Sequence, residues 1–169
     1  GSIAVASLAR LGYEVTALTG KSDEADWLRK LGAKDVMLRG GIDLTKIKPL
    51  DKATWAGAVD NLGGDHLAWM ASTMKVNGVI ASIGLAASAS LNTTVMPFIL
   101  RGVSLLGINS TDSPSAELRR EVWRRLGGDL RPPLLKEMAE TVPFEKLPGV
   151  FERFIQGGVK RRVVVDLAA

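Results

Sequence analysis

Short runs of β-branched and apolar residues alternate along this chain with stretches whose apolar positions recur every three or four residues. That alternation predicts βαβ units and a parallel sheet. Residues 2–11 read as a buried helix: Ile3, Ala4, Val5, Ala6, Leu8, Ala9 and Leu11 leave only Ser7 and Arg10 for water, and Gly12 sits where a C-cap glycine belongs. A strand over 13–18 ends in Thr19-Gly20-Lys21-Ser22. Asp23, Glu24 and Asp26 then occupy a first helical turn, where the helix dipole favours acids, and that helix stops at Gly32. A short strand at 35–38 is closed by Arg39-Gly40-Gly41, and 42–54 reads as a loop.

The second half of the pattern is similar. A strand at 55–60 turns through Asn61-Leu62-Gly63-Gly64 into a helix whose core positions are Leu67, Met70, Ala71 and Met74. A strand at 79–83 follows Asn77-Gly78, and Gly84 opens a loop of small residues to Ser90. A helix at 94–101 leads to a strand at 103–108 that ends at Asn109-Ser110. Ser113 as N-cap and Pro114 as first helical residue start a helix with a core stripe of Leu118, Val122, Trp123 and Leu126. A last helix near 147–156 feeds a strand at 162–165. Five or six parallel strands with helices between them give an α/β fold, a doubly wound Rossmann-type parallel sheet.

Ligands of such sheets lie beyond the carboxyl ends of the strands. The loops there are Thr19-Gly20-Lys21-Ser22, Arg39, Asn61-Leu62-Gly63, Ile83-Gly84-Leu85 and Ile108-Asn109-Ser110. All are small, glycine-bearing or rich in donors, which suits a phosphate-bearing ligand that needs close backbone approach. An NAD-selective site carries Asp or Glu at the end of the second strand, and that acid would repel a 2′-phosphate. Here Thr19, Gly20 and Lys21 stand in its place, and Arg39 lies one strand over. This favours NADP. A plain helix N-terminus with Lys21 in solvent is the competing reading. The G-x-G-x-x-G fingerprint is not visible, and Gly1 reads as its last glycine, with the first strand upstream. A sheet without that strand has an unpaired seam, which another chain or a rearranged strand is expected to fill.

Composition narrows the classes. Of 169 residues 46% are hydrophobic and 24% charged, enough to bury a core. No apolar run approaches the roughly 20 residues of a membrane-spanning helix, and no leader resembling a signal peptide opens the chain. Twenty-two Lys and Arg against 18 Asp and Glu leave +4, too scattered to argue for nucleic acid. Cysteine is absent and histidine occurs once, which sets metals aside.

Gly1-Ser2-Ile3-Ala4-Val5-Ala6 with Leu11-Gly12-Tyr13-Glu14-Val15 resembles the helix after the glycine motif in the medium-chain dehydrogenase/reductase superfamily. Leu31-Gly32-Ala33, Trp55-Ala56-Gly57-Ala58-Val59-Asp60, Leu106-Gly107-Ile108-Asn109-Ser110 and above all Thr93-Thr94-Val95-Met96-Pro97-Phe98-Ile99-Leu100-Arg101 resemble its zinc-independent quinone-oxidoreductase branch, and most of all the acrylyl-CoA reductases. The resemblance implies reduction of an activated carbon–carbon double bond, in an enoyl-CoA or a quinone, by hydride from NADPH. It implies that Thr19, Gly20, Lys21 and Arg39 receive the 2′-phosphate, and that Asn61 meets the cofactor. Gly84, Leu85, Asn109 and Ser110 would flank the nicotinamide, and Arg162 is a matching basic residue entering the last strand. It further implies a cytoplasmic homodimer, pairing near 103–108, without nucleic-acid or membrane partners. Residues 1–169 then form a partial NADP-binding domain whose N-terminal catalytic domain and proton donor lie elsewhere, so that this part alone would be inactive.

Plainer readings stand beside these. His66 fits a capping or surface role, and Trp27, Trp55, Trp69 and Trp123 fit core packing. Arg119, Arg120, Arg124 and Arg125 could meet the phosphates of CoA, but Glu117 and Glu121 among them favour pairing on a solvated face. A non-catalytic nucleotide-binding or interaction module on the same scaffold is the alternative function.

Overall fold

The computed structural model describes residues 1–112 and 115–167. Ser113 and Pro114, expected to start a helix, lie outside the described residues. The chain is α/β and every strand pairing is parallel. Its Cα atoms cluster into two compact units, Gly1–Arg39 with Trp123–Ala169, and Gly40–Val122.

In the first unit α1 (Ser2–Arg10) leads through Gly12, at φ +86°, into β1 (Val15–Thr19). The Gly12 and Tyr13 amides donate to the carbonyls of Ala9 and Leu8, closing α1 as the sequence predicts. α2 (Ala25–Lys30) follows a short 3₁₀ turn, and β2 (Ala33–Leu38) pairs with β1. Val5, Ala6, Ala17, Leu31, Ala33 and Met138 form the core here, with Val15, Trp27 and Leu28 packed against it.

The second unit contains β3 (Trp55–Asp60), α3 (Gly64–Thr73), β4 (Met74–Ser82), α4 (Met96–Arg101) and β5 (Ser104–Gly107), with sheet order β3-β4-β5. Met74 is not the last helical core position expected. It begins β4, which starts five residues early. Pairing jumps from Trp55↔Met74 to Gly57↔Val79, so the predicted Asn77-Gly78 turn survives as a bulge with Asn77 at φ +58°. Leu67, Met70, Ala71, Met74, Ile80 and Val103 make the core of this unit.

Two further expectations are corrected. α5 (Ala116–Gly127) keeps its amphipathic pattern, but Leu118, Val122 and Trp123 are exposed, Trp123 by 68%, and so form no core stripe. A strand was not expected at β6 (Ala139–Pro143). It pairs with β7 (Arg162–Asp166), beyond α6 (Leu147–Ile155). Among the described residues the strands form three hydrogen-bonded ribbons, β1-β2, β3-β4-β5 and β6-β7. No helix among the described residues is long and apolar enough to cross a membrane.

Arg101, the end of the motif that carries much of the family resemblance, acts locally as a clamp. Its guanidinium donates to the carbonyls of Ser72 (2.9 Å), Met74 (2.9 Å) and Asp51 (2.5 Å), which gather the end of α3 and the preceding loop. Removing it takes a charged donor from three carbonyls, of which that of Ser72 keeps the Asp51 amide at 2.9 Å. Arg101→Leu should therefore cost about 2 kcal/mol in urea unfolding, since a hydrogen bond from a charged donor contributes about 1.5–3 kcal/mol; a loss under roughly 0.5 kcal/mol would refute the clamp.

Candidate cofactor site

The sequence-predicted residues fall on both units, and each unit brings its own set together. In the first, β1 and β2 pair in register to Thr19↔Leu38, so Gly20 and Arg39 emerge side by side. The Arg39 guanidinium lies directly over Gly20. A Cβ at position 20 would collide with Arg39 Nη2 and stand 3.0 Å from Nε, so a side chain there would displace the guanidinium. The Lys21 amide donates to Thr19 Oγ1 at 3.1 Å, which bends the chain around the end of β1. The Lys21 ammonium donates to the Val159 carbonyl at 2.5 Å. Gly1 and Arg162 are also neighbours.

In the second unit the anchor is a residue the sequence reading passed over. Asp60, the last residue of β3, is 1% exposed. Its carboxylate accepts from the Leu62 amide (3.0 Å), the Gly63 amide (3.1 Å) and Ser82 Oγ (3.2 Å). It thereby fixes the turn that carries Asn61. The loop after β4 is zipped onto this turn: Ile83 donates to the Asp60 carbonyl (2.9 Å), Ala86 to that of Asn61 (3.1 Å) and Ala87 to that of Leu62 (2.9 Å). Gly84 is forced by that approach, because a Cβ there would lie 2.8 Å from the Asn61 carbonyl oxygen. A polar residue closing an apolar strand was the available signal for Asp60.

Asn109 follows β5. Its Oδ1 accepts from the Thr111 amide (3.2 Å), Thr111 Oγ1 (2.8 Å) and the Asp112 amide (3.1 Å), an Asx turn that uses none of its Nδ2 donors. Leu85, Ile108 and Asn109 line a cavity of about 510 Å³ with Leu67 and Ser82, and Ser110 is an exposed residue of the next turn. His66 is neither a cap nor a surface group at its ring tip, since its Nε2 is buried and has no hydrogen-bond partner among the described residues. In the arginine cluster Arg125 pairs with Asp129 at 2.8 Å and Arg119 donates to the Thr111 carbonyl at 3.1 Å.

A family model described as zinc-binding dehydrogenase matches residues 1–126. The chain belongs to this family. Acrylyl-CoA reductase AcuI of Ruegeria pomeroyi is 44% identical over 169 residues, which are 100% of this chain and 51% of that protein. YhdH of Escherichia coli K-12, solved with bound NADPH, is 38% identical with a TM-score of 0.90, over 98% of this chain and 50% of that one. YhfP of Bacillus subtilis, solved with NAD bound, is 41% identical with a TM-score of 0.92, over 99% of this chain and 51% of that one. The chain thus spans about half the length of these relatives, and the resemblance to acrylyl-CoA reductases is borne out. The residues of this chain do not fit the zinc of the family description: cysteine is absent, His66 stands alone, and the described residues hold no group of three His, Cys, Asp or Glu placed for a metal.

The Asp60 hub gives a direct test. Asp60→Ala leaves two amides and a hydroxyl unsatisfied in a buried turn, and should cost about 2–4 kcal/mol in denaturant unfolding. Unchanged stability would show that the turn is held by its backbone bonds alone.

Proposed function

We propose that this chain is the NADP-binding part of an oxidoreductase that reduces an activated carbon–carbon double bond, of an acrylyl-CoA-type thioester or a quinone or enone. The observation that carries the reading is the pair of cations at the end of β1, Lys21 and Arg39, around Gly20, where an NAD-selective site would place an acid. The relative named acrylyl-CoA reductase and the relative YhdH, solved with NADPH, support it.

The residues present fit such a cofactor. Thr19 offers a hydroxyl, Gly20 an unshielded backbone, and the Lys21 ammonium keeps two of its three donors beyond the Val159 bond. Arg39 adds a planar donor fork suited to a phosphate. Gly1 acts as the last glycine of the pyrophosphate turn, with Arg162 supplying positive charge beside it. Asn61, Gly84 and Leu85 wall the nicotinamide side, and Asn109 and Ser110 offer donors there. When bound, the nicotinamide supplies the hydride to the substrate's β-carbon. This chain's part is to hold and orient, and its proton donor belongs to the other half of the protein. The reading extends to a cytoplasmic homodimer in which β5, the edge of its sheet, faces the second subunit.

Titration of the intact protein tests the cofactor assignment. NADPH should bind more tightly than NADH, and Lys21→Glu should weaken NADPH by at least about tenfold, roughly 1.4 kcal/mol, while sparing NADH. Equal affinity of the wild-type protein for both dinucleotides would overturn the reading.

A further inference from the structure

Residues far from Lys21 in sequence are bound to the same loop. α6 ends with the Gly157 and Gly158 amides donating to the carbonyls of Phe154 (3.0 Å) and Arg153 (2.8 Å), which turns the chain towards β1 before β7 begins. Over the next residues hydrogen bonds, ion pairs and a cation–π contact reach the loop after β1, the turn before α2, α2 itself and the segment before β6. The Val159 carbonyl accepts from the Lys21 ammonium at 2.5 Å. The Lys160 ammonium pairs with the Asp23 carboxylate and, at 3.5 Å, with Glu24. The Arg161 guanidinium stacks 4.2 Å from the centre of the Trp27 ring and donates to the Glu137 carbonyl at 3.2 Å. Lys30 stands 5.7 Å from the same ring centre and pairs with Glu137 at 2.6 Å.

These contacts make a strap. Of its three successive residues, two are fixed by charge to α2 and the turn before it, and the third offers only a carbonyl, directed at Lys21. The Asp23–Lys160 pair is ionised throughout the neutral range, because each partner pushes the other's pKa away from neutrality: the hydrogen bond from Lys160 lowers Asp23, and that to Asp23 raises Lys160. A free lysine has a flexible four-carbon stem and must be ordered before it can serve one phosphate oxygen. With its ammonium already held by Val159, that ordering is done in advance.

We propose that residues 159–161 form a specificity-determining strap, in which Lys160 and Arg161, through Asp23, Glu24 and Trp27, position Lys21 for the extra phosphate of the cofactor. The inference rests on the NADP reading above and deepens it. It makes Asp23 and Glu24, acids beside a phosphate site, favourable to phosphate binding.

That sign gives the test. Simple electrostatics requires that neutralising two acids near the site tighten NADPH binding. The strap requires the reverse. In the intact protein, Asp23→Asn with Glu24→Gln should weaken NADPH by roughly three- to tenfold, the cost of leaving one long side chain to be ordered on binding, with NADH changed by less than about twofold. Trp27→Leu, which alters no charge, should act in the same direction, and Lys160→Arg should preserve NADPH affinity. Tighter or unchanged NADPH binding in both the acid double variant and Trp27→Leu overturns the strap. So does an equal loss for both dinucleotides, which would mark a merely structural contact. If the wild-type protein itself shows no preference for NADPH, the cofactor reading fails first, and that outcome is distinct from the others.

Discussion

The parallel pairing of β1 with β2 is the constraint on which the candidate site depends. Because the two strands run in the same direction and, after a shift at Val15, keep one register from Thr16↔Asp35 to Thr19↔Leu38, their carboxyl ends finish side by side. The residues one step beyond, Gly20 and Arg39, then have no choice but to meet. A side chain at 20 would push the guanidinium away, and an antiparallel pair would have put the two at opposite ends of the ribbon. The loop that receives the strap is the same loop, so the charge arrangement of this unit follows from one register.

A similar economy operates in the second unit, with a buried carboxylate in place of the strand register. Asp60 is costly to bury unless its oxygens are satisfied, and three donors within two neighbouring turns meet that need. The cost of a misplaced turn is therefore high, which keeps Asn61 and Gly84 in contact. Arg101 works at the other end of α3, where its guanidinium reinforces the Ser72 carbonyl, already accepting from the Asp51 amide, and also reaches the carbonyl of Met74 at the start of β4.

What was legible in the sequence was what local chemistry decides. The strand at 55–60 has the bounds its apolar run gave it, and Gly12 has the left-handed φ that a helix stop demands. The loops at the strand ends were found for the same reason, since small and polar residues there have few other uses. What escaped depended on partners distant in the chain. Ala139–Pro143 contains Glu140 and ends in proline, so nothing in it reads as a strand until β7 is beside it. Met74 fits the helical period, but the pairing with Trp55 draws it into β4. The stripe on α5 is periodic as well, and periodicity alone does not say that a surface is waiting for it. Lys160 and Arg161 look like ordinary surface cations until Asp23 and Trp27, more than a hundred residues earlier, come to face them.

That last pairing bears on how selectivity for a phosphate is built. Adding cations to a loop raises affinity for any anion and falls off with salt. Selectivity needs a donor held at one place, and a lysine left to itself is poorly suited to that. Fixing it by a backbone carbonyl, and fixing the carbonyl's own segment by an ion pair and a stacked ring, converts a mobile charge into a directed one. The acids that look unfavourable beside a phosphate are then part of the frame. Their own charges are already engaged by Lys160, so they oppose the ligand less than their formal sign suggests. In this arrangement the local net charge decides little, and the geometry imposed on Lys21 decides which dinucleotide gains from it.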